Sequence, residues 1–320
     1  MARENTVNSQ KTMTQGQAAQ KKRMKVSAFI ILLGIPVVGA LGIFFLPKTW
    51  YMPLSMVILT MTMAPFFMVF EQRKPKAREI VLLAMMCALT VATHTFFHII
   101  LPIQIGTAMV IISGISLGPE AGFLIGALSR FICNFYMGQG PWTPWQMFCW
   151  GLLGFLAGLA FNKGSMDVDK INSRHFRMVL GPVFTMLFAF AAAYISFLIY
   201  PGTDESFIGW RLYVFGFIGL LAGVLVQRKR LPVDGLTLSL FTFFTVFVIY
   251  GGIMNAAKLL MSLNMKTGTG FSFSALRALY ITGAPYDFMH ATTAAICVFL
   301  LGDNMIKKIE RIKIKYGIYK

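Results

Sequence analysis

Residues 138–158 read GQGPWTPWQMFCWGLLGFLAG. The stretch opens on helix breakers and closes on an unbroken apolar run. Three of the chain's five tryptophans fall in it: Trp142, Trp145 and Trp150. Its reading turns on the solvent it meets, and the composition supplies that. The chain is 57% hydrophobic and 13% charged, with a mean hydropathy of +0.68. Soluble domains carry roughly 25% charged residues, so this is a membrane protein. Apolar runs of about 20 residues cross a bilayer core of roughly 30 Å. About ten runs approach that length: 26–46, 51–70, 79–100, 104–117, 119–137, 145–162, 178–200, 208–226, 236–262 and 284–303. The fold class is therefore an all-α, polytopic bundle of about ten transmembrane helices. The run 104–117 is short, and reads as a tilted, broken or re-entrant helix or a full span. The quoted stretch is then a loop at the membrane boundary and the start of the span after it.

The net charge of +17 is not gathered into a nucleic-acid-binding patch. It sits between alternate apolar runs: KKRMK at 21–25, EQRKPKAR at 71–78, QRKRL at 227–231 and KKIERIKIKYGIYK from Lys307. The connector 163–177 adds Lys163, Lys170, Arg174 and Arg177. The other connectors are nearly free of cations. This alternation predicts cytoplasmic termini and an outer GQGPWTP loop. The expected organisation is a disordered cytoplasmic tail at 1–25, an accessory hairpin at 26–70, a transmembrane domain at 71–303 and a basic cytoplasmic tail at 304–320. The four cysteines all lie in apolar runs, at spacings that match no disulfide or metal pattern.

Enzyme signatures are absent where they would be most telling: there is no HExxH and no P-loop. If the chain moves anything with ATP, another chain must hydrolyse it. His94 and His98 stand four apart on one helix face, a metal-ligand spacing. No carboxylate or cysteine nearby in sequence completes a metal site, so pocket lining or interhelical hydrogen bonding is the expectation. Arg130 and Lys258 fall within apolar runs, where a charge usually faces a cavity or a partner group. Around the loop, Gln139, Thr143 and Gln146 interleave hydrogen-bonding groups with Trp142 and Trp145, while Asn134 and Arg130 approach from the preceding span. Two readings stand: an aromatic belt at the interface, or the rigid wall of a small-molecule pocket. A second outer group is expected from the long 264–283 loop running into Tyr286, Asp287 and His290. Ala84, Ala88 and Ala92 form a small-residue face that permits close helix approach. It packs either inside the bundle or against a partner subunit.

Taken together, the alanine face, LGPEAGFLIG, GQGPWTPWQMFCWGLLGFLAG and the closing GAPYDFMHA resemble the substrate-binding S components of energy-coupling factor (ECF) vitamin transporters. The likeness is nearest to the larger, cobalamin-type S components. It implies a non-enzymatic protein of a prokaryotic plasma membrane, without a cofactor of its own. Such a protein takes a vitamin-like small molecule at the outer face and docks on a transmembrane coupling subunit that carries two ATPases. Ala84, Ala88 and Ala92 match the family's docking helix. Trp142, Trp145, Gln146, Gln139, Asn134, Arg130, His94, His98, Tyr286, Asp287 and His290 are the expected substrate-binding residues. No metal and no nucleic acid is expected. A typical S component has fewer helices than are counted here, so 26–70 is set aside as an addition. A self-sufficient carrier or channel is the alternative. Corrinoids, flavins and pterins suit the aromatic side chains alike.

Overall fold

The structure is a computed structural model, and it describes residues 37, 50–72, 75–100, 103–162, 180–200, 209–226, 234–262 and 272–318. Among the described residues, helices form over every apolar run from 51–70 onward, and there is no strand. They are α1 (Tyr51–Gln72), α2 (Ala77–Ile100), α3 (Ile105–Leu117), α4 (Pro119–Met137), α5 (Thr143–Phe161), α6 (Leu180–Ile199), α7 (Gly209–Val226), α8 (Gly235–Phe244), α9 (Gly251–Ser262) and α10 (Phe273–Tyr316). A π-helical segment, Thr245–Tyr250, joins α8 to α9. Among the described residues, Ala77–Phe97, Thr143–Phe161, Gly235–Ser262 and Phe273–Tyr316 are long and apolar enough to cross a membrane. The tail 1–25 and nearly all of the run 26–46 lie outside the described residues. Residues 1–73 and 74–320 are separate compact units. In the first, α1 is apolar, and Thr60 and Thr62 return their hydroxyls to the carbonyls of Met56 and Ile58. The rest of this description concerns the second unit.

The short run is the centre of that unit. α3 has 13 residues, a length of about 20 Å. It packs against α2, α4, α5 and α10, and every residue from Gly106 to Leu117 is buried. A helix surrounded by protein need not match the bilayer, because lipid never meets its ends. Its last carbonyls are satisfied from outside. Asn162 Nδ2 donates to Ile115 O at 3.0 Å, and Lys313 Nζ donates to Ser116 O at 2.6 Å. The cation also suits the negative end of the helix dipole.

Glycines set the spacing of the central three helices. A Cβ at Gly122 of α4 would lie 2.6 Å from both Gly114 Cα of α3 and Gly154 O of α5. The three backbones therefore touch, the close approach that small residues allow in membranes. The turn from α3 to α4 uses Gly118 at φ 100°, with Pro119 opening α4. All four cysteines are buried and unpaired.

Two boundaries differ from the sequence expectation. Of the 264–283 loop, residues from Phe273 onward are helical, because Ser272 caps the helix by accepting from Ser274 N. The last helix also runs on through the expected basic tail to Tyr316. Ile306 and Ile309 of that extension are buried, and Lys313 pairs with Glu310 at 2.8 Å. Apolar side chains at helical spacing give this segment a face to pack, which a tail lacks.

Gly122→Ala should lower stability by about 1–3 kcal/mol, since the neighbours are backbone and cannot yield as a side-chain tip can. Thermal unfolding of the purified protein in detergent measures this. Leu159→Ala, at an exposed position, should change stability by no more than about 0.5 kcal/mol.

Candidate functional site

One polar cluster is built by α2, α4 and α5. Gln146 Oε1, one turn into α5, accepts from Arg130 Nε at 3.0 Å and from Asn134 Nδ2 at 2.9 Å. Arg130 Nη1 lies 2.9 Å from His94 Nε2, and its guanidinium lies over the Trp150 ring at 5.2 Å. The His94 ring meets Trp150 edge-on at 4.8 Å. Gly106 of α3 gives His94 its room, since a Cβ there would lie 2.6 Å from the histidine. Asn134 Nδ2 also donates to Thr143 Oγ1, which donates in turn to Gln139 Oε1 at 2.9 Å. The loop supports this chain locally. Gly138 adopts φ 98°, Thr143 N bonds Gly140 O, and Pro144 sits in the first turn of α5, where no backbone donor is missed.

A second cluster joins α7, α9 and α10. Asp287 Oδ2 accepts from Tyr213 Oη and from Asn255 Nδ2, each at 2.7 Å. Lys258 Nζ donates to Asn255 Oδ1 at 3.3 Å and acts electrostatically on Asp287. Gly251 lies against the carboxylate, where a Cβ would come within 2.8 Å. Three residues further along α10, His290 Nε2 lies 3.0 Å from Thr107 Oγ1 of α3, and its ring meets Tyr250 edge-on at 4.6 Å.

The two clusters lie on helices that touch. α5 touches both the π segment and α9. Tyr250 and Tyr286 each interact electrostatically with both Arg130 and Asp287. Both aromatic side chains thus lie within electrostatic reach of a cation on one wall and a carboxylate on the other. Several buried polar atoms of the first wall have no hydrogen-bond partner among the described residues: Asn134 Oδ1, Trp145 Nε1 and Trp150 Nε1.

The expected residues divide accordingly. His94, Arg130, Asn134, Gln139 and Gln146 form one connected network. Asp287 and His290 are buried in the facing cluster, while Tyr286 is half exposed, its ring 6.4 Å from His290. Trp145 is partly buried beside the network. Trp142 is not in it: its ring folds over Gly140 and is 40% exposed, which places it at the rim. The side chain of His98 lies outside the described residues. Ala84, Ala88 and Ala92 are exposed, together with Ile80, Val81, Met85, Leu89 and Phe96. The opposite face of α2, with Leu82, Leu83, Met86, Thr90 and His94, is the buried one. Trp150, Thr107, Tyr213, Tyr250 and Asn255 were not among the expected site residues. An asparagine and a lysine three apart in an apolar helix, Asn255 and Lys258, were the available signal.

Residues 114–118, GISLG, share the G-x-S-x-G spacing of hydrolase nucleophile elbows. That motif requires a strand-to-helix turn that exposes the serine. Ser116 is fully buried at the end of a helix, and its Oγ has no partner among the described residues. It is not a nucleophile elbow. No group of three or more metal-binding side chains occurs among the described residues.

Residues 74–208 match the family model of the ECF-type riboflavin transporter S component. No curated protein and no solved structure matches the chain. That stretch is thus similar to an ECF S component, and the apolar helices make the chain a membrane protein. That family is one of transporter components, not of enzymes. The matching model is the riboflavin type, and the nearer likeness to cobalamin-type S components finds no support.

Gln146→Leu removes the acceptor that Arg130 and Asn134 share, leaving two donors without it. Each buried group so stranded costs about 1–3 kcal/mol, so the melting temperature of the purified protein should fall clearly. Gln146→Glu keeps the oxygen and should restore it.

Proposed function

We propose that this chain is an S component that binds a flat, ring-bearing vitamin between the α4–α5 wall and the α9–α10 wall, and delivers it through an ECF module. One observation carries the reading. Asn134, Trp145 and Trp150 bury polar atoms that find no partner within the described protein, around a guanidinium that is itself partly exposed. Buried polar groups are almost always bonded, and a bound ligand supplies what the protein withholds. The aromatic side chains around them suit an apolar ring with a few polar positions, as small-molecule sites generally do. Riboflavin is the first occupant to test, because the matched family model is named for it. A corrinoid is the competitor to test beside it.

In this reading the Trp142 end faces outward and both termini are cytoplasmic, following the alternation of cations. The exposed face of Ala84, Ala88 and Ala92 receives the transmembrane coupling subunit, and two ATPase subunits hydrolyse the ATP. A self-sufficient carrier is the second reading, favoured by the buried carboxylate of Asp287, since carriers keep such groups within the membrane.

Ala88→Trp should abolish uptake in cells while the isolated variant still binds riboflavin, because a bulky ring prevents close helix approach. Uptake by the chain alone in liposomes, without ATPase subunits, would establish the carrier instead.

Trp142→Ala should weaken riboflavin binding roughly tenfold to a hundredfold, the effect of losing one stacking ring at about 1–3 kcal/mol. Trp50→Ala is the control, exposed and in the other unit, and should leave affinity unchanged. Titration by flavin fluorescence quenching separates a rim tryptophan that touches the ligand from one that only anchors the interface.

A further inference from the structure

The hydrogen bonds of the two walls leave specific atoms over, and these define the ligand's chemistry. Arg130 uses Nε for Gln146 and Nη1 for His94 and Met137. Its Nη2 has no partner among the described residues. In a guanidinium, Nη2 and Nε form one fork, so this donor lies beside the Gln146 oxygen. Asp287 receives both its donors, Tyr213 and Asn255, on Oδ2. Its Oδ1 has no partner among the described residues. One wall therefore offers an unused cationic donor and the other an unused anionic acceptor. Tyr250 and Tyr286 interact with both charges, and both meet His290, one turn from Asp287.

Charge narrows the class further. Arg130 and Lys258 contribute two positive charges and Asp287 one negative, a balance of +1 from these three. Lys258 already acts on the carboxylate. A cationic ligand would add to an excess of positive charge. A neutral ring bearing an N–H for Asp287 and a carbonyl for Arg130 meets both needs without burying a new charge, which would be costly.

We infer that Asp287 is a specificity-determining residue that accepts a hydrogen bond from a ring N–H of the substrate, while Arg130 donates to a ring carbonyl, so that the site reads a neutral imide- or lactam-bearing ring. The inference rests on the ring-bearing vitamin reading above and adds which atoms are recognised. It distinguishes an imide-bearing ring from its N-alkylated counterpart, which keeps the same rings and carbonyls but has no hydrogen to give.

The geometry around Asp287 dictates the test. In Asp287→Asn the side chain keeps its shape. Tyr213 and Asn255 both donate, so together they claim the amide oxygen. The amide nitrogen must then occupy the position of Oδ1, and an acceptor becomes a donor. A ligand N–H there would face another N–H.

The probes are riboflavin and 3-methylriboflavin, titrated by fluorescence quenching against purified full-length protein. The wild type should bind riboflavin roughly tenfold to a hundredfold more tightly than the methyl derivative, the range for a hydrogen bond to a charged group. Asp287→Asn should bring that ratio to within about threefold, with riboflavin losing the affinity. Tyr213→Phe keeps the carboxylate and should keep the ratio even if both affinities fall. A wild-type ratio near one overturns the inference without any variant. So does a ratio that survives in Asp287→Asn, since methylation would then act through bulk alone. If the wild type binds no riboflavin, the inference and riboflavin itself fall together. The S-component reading is judged separately, by whether uptake needs the ECF module.

Discussion

Backbone contact among Gly114, Gly122 and Gly154 is the constraint from which the rest of this bundle follows. Lipid offers helices no hydrophobic gain from association, so dispersion between closely fitted surfaces must hold them. Three helices that meet at glycine bring their backbones nearer than side chains would permit. That closeness lets α3 be entirely enclosed, and enclosure lets it be short. A short central helix in turn ends within the protein, where Asn162 and Lys313 must complete its carbonyls.

The same geometry accounts for the site. α3 begins at the level where α2, α4, α5 and α10 carry their polar residues. Thr107 in its first turn meets His290, and Gly106 beside it admits His94. His94, Thr107, Asn134, Asp287 and His290 are buried at this level. They bond across helices as intramembrane polar groups must, while Asn134 Oδ1 finds no partner among the described residues. The π segment contributes by register. It brings Tyr250 against His290 and sets Gly251 beside Asp287. β-Branched residues at Thr245, Val246, Val248 and Ile249 crowd an α-helical turn, and Thr245 returns its hydroxyl to Phe241 O.

Much of this was legible in the sequence, for reasons that particular residues make plain. Apolar length located the helices, and Gly138, Pro141 and Pro144 located the loop, because those residues act on their own backbone. Arg130, Asn134 and Gln146 could be grouped because a short loop brings two neighbouring spans together. Thr107, Tyr213, Tyr250 and Asn255 could not be found in that way. Their partners are remote in the chain: 183 residues separate Thr107 from His290, and 74 separate Tyr213 from Asp287. A threonine in an apolar helix usually bonds its own preceding turn, as Thr90 does with Met86, so nothing marked Thr107 as different. The π segment shifts the faces after it in a way that a regular helical period does not anticipate. The 264–283 loop was read too long, because a serine cap at Ser272 was not weighed against the polar composition around it.

α10 is 44 residues long, about 66 Å, and it grips α3 twice. His290 meets Thr107 near one end of α3, and Lys313 reaches Ser116 at the other. Neither helix can slide along its partner without parting one of these contacts, and both contacts are buried or nearly so. Asn162 adds a third stitch from α5. A core fastened in this way has no shear plane through its middle. Any relative motion of helices in this unit must then be found away from the α3–α10 pair. This part of the unit is built less like a gate with moving leaves than like a keel, whose parts keep their places.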